Sequence, residues 1–300
     1  MTNALNGIAS LTHLGVIAVE GDDAASFLQG QLTQDFTLLG SGDARLATYC
    51  TAKGRMLASF IGFKPAPTRI LLVTSRDILA PTLKRLSMYV LRAKAKLRDA
   101  TSDFDLWGLA GNAAPKAEPW KLSMDGESAV IALYPADGQP RALRISPAGT
   151  TKPEGDSLDE SLWSWGEVRS GVATITTPIV EAFVPQMLNY ESVGGVNFKK
   201  GCYPGQEIVA RSQFRGTLKR RAYLAHSSDA LAVGQELFHE SDAEQPCGIV
   251  AQSAAAPGGG WDAIVSVTIA SAEAGRITAG SAQGPAVQLT PAPYPLLADV

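Results

Sequence analysis

The densest chemistry in the chain lies in residues 196–221, VNFKKGCYPGQEIVARSQFRGTLKRR. Cys202 follows Lys199, Lys200 and Gly201, and precedes Tyr203-Pro204-Gly205 and a helix expected over 206–213. A thiol between ammonium groups and a helix start sits in a field that favours thiolate, the form that attacks electrophiles or binds metal. The plainer reading of a single cysteine is a small buried hydrophobe. Charge weighs against that reading. From Lys199 to Arg221 there are seven cations and one anion, Glu207, a local balance of +6 in a chain of net −3. A basic cluster on an otherwise acidic protein points to a local anionic ligand: a carboxylate tail, a phosphate or a stretch of RNA backbone. Phe198, Tyr203 and Phe214 are too few for a base-stacking platform, so RNA is the weakest of the three.

Two other features suit a flat heterocycle. Trp163 and Trp165 fall in a helix expected over 158–168, just before Val168-Arg169-Ser170-Gly171. Residues two apart on a helix point in different directions, so core packing accounts for one indole and leaves the other for a ligand or a domain interface. Gln29-Gly30-Gln31-Leu32-Thr33-Gln34-Asp35 and the turn Ala52-Lys53-Gly54-Arg55 are the second feature, although turn chemistry alone produces such strings.

The elements that must position these groups are read from periodicity. Strands are expected over 14–19, 45–50, 56–63, 69–73, 91–97, 104–109, 129–133 and 141–145, with a short one ending at Phe198. A first helix is expected over 24–32 after the Gly21-Asp22-Asp23 turn, and a second from a Ser75 cap to about residue 90, with Pro81 forcing a start or kink. The order is α+β rather than strictly alternating. From residue 218 the pattern changes to short apolar runs (222–224, 236–238, 248–252, 264–269, 287–289) split by Gly, Pro, Ser and Asp, with a turn over 254–260. That pattern implies a small all-β barrel or sandwich. Domains are therefore expected at 1–217 and 218–300.

At 45% hydrophobic residues, the 300-residue chain can bury a substantial core. No apolar run approaches the roughly 20 residues that cross a bilayer, and residues 1–6 have neither a basic nor an apolar leader region. Cys50, Cys202 and Cys247 form no C-x-x-C pair, which fits a reducing, cytoplasmic setting. His13, His226 and His239 are isolated, so no metal-ligand spacing is present.

These strings together resemble the folate-binding family related to the glycine-cleavage T-protein. More narrowly, the chain is similar to the bacterial YgfZ type and its mitochondrial iron–sulfur assembly relatives. The resemblance rests on Phe198-Lys199-Lys200-Gly201-Cys202-Tyr203-Pro204-Gly205-Gln206-Glu207, continued by Val209-Ala210-Arg211 and Phe214-Arg215-Gly216. Leu28 to Thr33, Ala52 to Arg55, Phe183 to Gln186 and Leu188-Asn189 extend it across residues 10–221. It implies an aminomethyltransferase-like body of two interleaved α+β subdomains, one of them ferredoxin-like, followed by a small C-terminal β-barrel. Tetrahydrofolate or a folate derivative would sit centrally, held by Trp163, Arg169, Tyr203, Gly205, Gln206, Glu207 and Arg211. It also implies a role in maintaining iron–sulfur enzymes, including one that thiolates tRNA, with Cys202 and Lys200 as the working groups. The partners implied are folate and iron–sulfur enzymes or their assembly proteins, with no membrane and no nucleic acid.

Three departures stand out against that family. Leu14 falls where the YgfZ type can carry a second tryptophan. Ala58-Ser59 stands where T-proteins carry paired aspartates, so the proton handler of aminomethyl transfer is missing. Arg169-Ser170-Gly171 replaces Glu-Ala-Gly, which leaves Glu167 or Glu181 as the carboxylate facing a pterin. Iron–sulfur support is therefore the leading reading, tetrahydrofolate-dependent one-carbon transfer the second, and RNA association the third.

Overall fold

The computed structural model describes residues 5–215 and 218–297. Residues 1–4, Gly216 of the Phe214-Arg215-Gly216 string, and Thr217 at the expected domain boundary lie outside them.

The first sheet runs in the order Ala44–Cys50, Met56–Ala66, Arg69–Ser75, Leu14–Glu20 and Lys96–Asp99, every neighbour antiparallel. Helix α1 (Ala24–Gln29) follows the strand Leu14–Glu20, and α2 (Leu79–Ser87) follows Arg69–Ser75. Leaving aside the edge strand Ala44–Cys50, this is the β-α-β-β-α-β arrangement of a ferredoxin-like unit. The second sheet runs Gly7–Ser10, Phe104–Ala110, Gln139–Pro147, Ser128–Ala136 and Leu122–Asp125. Its first strand precedes the first sheet in the chain yet pairs with Phe104–Ala110, Ile8 opposite Leu109, and this pairing interleaves the two units. Six later strands close a barrel in the order Arg220–Ser227, Trp261–Thr268, Asp242–Ala255, Glu236–His239, Ile277–Ala279 and Ala286–Thr290. A short helix, α5 (Ile269–Glu273), follows Trp261–Thr268.

Both faces of the strand Leu14–Glu20 are covered, which is why it reads as an almost unbroken apolar run. Ile17 and Val19 join a core that runs through Tyr190 to Leu224 and Ile264 of the barrel. Val16 and Ala18 face Leu106, Ile131 and Leu143 of the second sheet. Each such side chain contributes about 1.5–3 kcal/mol on burial.

Four local expectations are corrected. The first helix stops at Gln29, not at residue 32, because Leu32 already bridges to Tyr49 and the Thr33 N–H bonds the Thr48 carbonyl. The strand expected over 91–97 forms only at Lys96–Asp99, where Glu20 first offers a partner opposite Lys96; Leu91 is exposed. Ser75 gives its hydroxyl to Asp77 instead of capping, and Pro81 sits in the first turn of α2, where no backbone donor is needed. No strand ends at Phe198: that stretch is irregular, tied by the Asn197 N–H to the Thr33 carbonyl. Three short strands, Gly7–Ser10 and Leu122–Asp125 at the edges of the second sheet and Ile277–Ala279 within the barrel, were not expected.

Candidate functional site

Helix α3 (Glu160–Arg169) begins where Asp159 accepts the Ser161 N–H at 2.8 Å. Positions 163, 167 and 170 then share one face of the helical period, and Trp163, Glu167 and Ser170 all line a cavity between the two sheets. The space between its lining atoms is about 660 Å³, counting its open mouth. Phe60, Trp120 and Tyr134 add aromatic wall, and Leu14 stands among them.

The cavity is organised on one carboxylate. Trp163 donates its indole N–H to Glu167 Oε1 at 3.1 Å, and Gln252 of the barrel reaches Oε2 at 3.4 Å. His13 Nε2 lies 3.5 Å from the same Oε1, and its Nδ1 lies 3.7 Å from the exposed Glu160. Burial alone would raise the Glu167 pKa; the His13 bond and charge, with Arg141 and Trp163, outweigh it and hold the carboxyl below its ordinary range. Burial works against a charged His13, yet Glu167 and Glu160 raise its pKa on balance. Arg141 is 3% exposed, and its guanidinium stands 4.3 Å from the centre of the Trp163 ring. Burial pushes its pKa down to about 10, with Glu167 acting against that shift.

The sequence left Glu167 and Glu181 open as the carboxylate; Glu167 lines the cavity, and Glu181 is exposed at a positive φ of 64°. Arg169, expected at the ligand, does not line this cavity. Two residues beyond Glu167 it points about 200° round the helix, to Asp137 at 2.8 Å and Asp262 at 3.7 Å. Trp165 is the interface indole: its N–H bonds Asp262 of the barrel at 2.7 Å. Ser59 lines the cavity and accepts the Ile175 N–H at 2.9 Å, while Ala58 is buried in the core.

The cysteine turn is a second, separate place: no residue of 196–215 lines the cavity. Cys202 is exposed, with a free thiol. Lys200 turns inward, where its ammonium donates to the carbonyls of Gln29 and Leu32 and lies 4.6 Å from the centre of the Tyr203 ring. Burial lowers its pKa to about 8 against the opposing pull of Asp35 and Cys202. Gly205 at φ +83° caps α4 (Gln206–Phe214), and a Cβ there would meet the Thr51 carbonyl at 2.4 Å and Gly54 Cα at 2.7 Å. Three of the strings that resembled one family therefore meet in space: 28–33 is held by Lys200, and 52–55 lies under Gly205. Tyr203 is buried, Gln206 partly exposed, and Glu207 and Arg211 lie on the outer surface with Phe214 and Arg215. The structure thus brings Trp163 to the cavity and gathers Tyr203, Gly205, Gln206, Glu207 and Arg211 at the turn.

Sequence reasoning missed Arg141 in the cavity wall and His13 and Gln252 as the partners of Glu167. Arg141 had a signal: in its strand it shares a face with Leu143 and Ile145, so alternation alone turns a guanidinium into the core.

Comparison with known proteins agrees with this fold. Residues 2–118 match the GCVT N-terminal domain family. The chain is 31% identical over 230 residues to the tRNA-modifying protein YgfZ of Vibrio vulnificus, covering 72% of this chain and 68% of that one. It is 30% identical over 250 residues to the protein of the same name from Cronobacter sakazakii, covering 77% and 74%. In fold it is similar to the glycine cleavage system aminomethyltransferase T of Bartonella henselae, with TM-score 0.66, 17% identity, and 96% and 86% of the two chains covered. Among the described residues no helix is long and apolar enough to cross a membrane.

Proposed function

The chain belongs to the YgfZ-type family within the glycine-cleavage T-protein superfamily, and from that premise we propose that it is a folate-binding protein that supports tRNA modification. Within that role it serves iron–sulfur enzymes or their assembly proteins in the cytoplasm, with Cys202 as the working thiol.

The observation that carries the folate reading is Glu167, a carboxylate held by Trp163, His13 and Gln252 at the wall of an aromatic cavity. A pterin is flat and carries an edge of N–H donors beside a carbonyl. Glu167 is the matching acceptor, and Arg141 Nε, buried without a hydrogen-bond partner, is a matching donor. Bound tetrahydrofolate would supply the reduced ring; the chain's own groups orient it and exclude water. One-carbon transfer is the less supported reading, since Ser59 is neutral and committed to the Ile175 N–H. Formation of methylene-tetrahydrofolate from an aminomethyl donor by the purified protein would reverse that ranking.

The test is titration with tetrahydrofolate, followed by tryptophan fluorescence. Saturable quenching that is lost in Glu167→Gln is expected, and a flat response of the unmodified protein sinks the reading. For the thiol, Cys202→Ala should fold and bind folate yet fail to restore thiolated tRNA in cells lacking the native gene. Full restoration removes Cys202 from the role.

A further inference from the structure

A groove runs beside α2 and shares no lining residue with the central cavity. Pro81, Lys84, Arg85 and Met88 line it, and their i, i+3, i+4, i+7 spacing makes them a single stripe of the helix. Leu79, Thr82 and Leu86 occupy another face, which is buried. Tyr49, Leu57 and Val180 add an apolar lining, and the space enclosed is about 680 Å³, counting its open mouth. Where the chain leaves α2, apolar side chains stand in solvent. Met88 is 60% and Leu91 85% exposed, with Tyr89 between them and Val180 exposed as well. The backbone here is ordered by its own bonds: the N–H groups of residues 88–91 each donate to a carbonyl two or three residues earlier. Single exposed apolar residues are ordinary, but a group of them on a fixed turn beside an apolar groove marks an interaction surface.

Charge says what kind of partner fits. Residues 79–98 carry six cations and no acid. Arg98 is answered by Glu20 and Asp103, and Asp23 lies at Lys94, where it accepts the backbone N–H. Lys84 and Arg92 are exposed and make no ion pair with any described residue. We propose that the groove docks an acidic amphipathic helix of a partner protein, its apolar face against Met88, Leu91 and Val180 and its carboxylates on Lys84, Arg85 and Arg92. An apolar trough with a basic rim is the complement of such a helix. A lipid surface would use the protruding tips and leave the concave lining empty. Nucleic acid would leave the apolar lining unused, and Tyr89 is the only exposed aromatic among the described residues of the patch. A second copy also fits poorly. Its α4 exposes Ile208 and Phe214, but Arg211 and Arg215 on that helix repeat the sign of the groove. This proposal does not depend on the folate reading.

The test is selection of displayed random peptides of about 15 residues, roughly four helical turns, on the full-length protein, with counter-selection on Leu91→Ser. Enriched sequences should carry apolar residues at helical spacing and more Asp and Glu than Lys and Arg. The strongest of them, synthesised, should bind the Leu91→Ser and Lys84→Glu variants about tenfold or more weakly than the unmodified protein. Both positions are exposed, so the two variants should melt with the parent. Replacing the acids of that peptide by lysines should abolish binding to the unmodified protein and restore part of it with Lys84→Glu. Enrichment without an acidic excess, or no enriched peptide that depends on Leu91, overturns the proposal. So does a Leu91-dependent attachment to phosphatidylglycerol vesicles, to duplex RNA or to a second copy of the chain when no peptide is selected.

Discussion

Trp163 and Glu167 are one helical turn apart on α3, and the indole N–H of the first bonds the carboxylate of the second at 3.1 Å. The bond fixes the direction of an aromatic ring and an acceptor at once, and both line the same cavity. Glu167 also receives Gln252 from the barrel, so the barrel helps to set the geometry of a site that it does not itself enclose.

The His13 pair makes stability depend on pH with a defined sign. His13 has a folded pKa above its ordinary 6.5, because Glu167 and Glu160 outweigh the effect of burial. Its contribution is therefore fully present below the unfolded value and is lost as pH rises through the folded one. Thermal melts of the protein and of His13→Ala should differ more at about pH 5.5 than at about pH 9. A gap that is constant or grows with pH contradicts the pairing.

Lys200 is expected to act first as a structural cap. Lys200→Ala leaves the Gln29 and Leu32 carbonyls without their donor and should cost about 1–3 kcal/mol in urea unfolding. A variant as stable as the parent would mean that the ammonium is not committed to those carbonyls and is free for chemistry beside Cys202.

The two glycines flanking Cys202 and Tyr203 should respond oppositely to a methyl group. Gly205→Ala meets backbone atoms at 2.4 and 2.7 Å in a positive-φ conformation, which costs about 1–2 kcal/mol before any clash is relieved. Nothing lies within 4 Å of a Cβ at Gly201, so Gly201→Ala should unfold close to the parent. Paired denaturant curves check this, and equal midpoints for the two variants would contradict the packing of 205 on the 51–54 turn.

Asp262 ties the barrel to α3 through the Trp165 indole at 2.7 Å and also bonds His226 at 2.8 Å. Asp262→Ala should cost about 1–3 kcal/mol and shift tryptophan emission to the red as the indole N–H loses its partner. Asp262→Asn, which keeps an acceptor oxygen, should recover much of the loss. Unchanged emission in both variants would show that the contact does not form in solution.

Much of the fold was legible in the sequence because it is local. The runs at 14–19, 56–63 and 69–73 announce strands by composition, and Gly205 announces a turn by being the residue that tolerates φ +83°. The irregular stretch at 196–198 was not legible, because whether an extended segment becomes a strand depends on a partner elsewhere in the chain. The site was legible in part for the same reason. Trp163 and Glu167 lie on one helix face by arithmetic, whereas the pairing of Arg169 with Asp137 and Asp262 joins distant segments and has no local signature.

By itself, then, the amino-acid order determined the α+β body, the β-rich C-terminal region, the basic turn around Cys202 and the family. Each of these is written in periodicity or in contiguous residue types. Only the tertiary structure decided that the cysteine turn and the aromatic cavity are separate, that Lys200 is buried on the carbonyls of a segment some 170 residues earlier, and that Glu167 is the carboxylate facing the cavity. Those outcomes depend on which distant strands pair and which faces they bury, and burial is a property of the packed chain, not of any one segment.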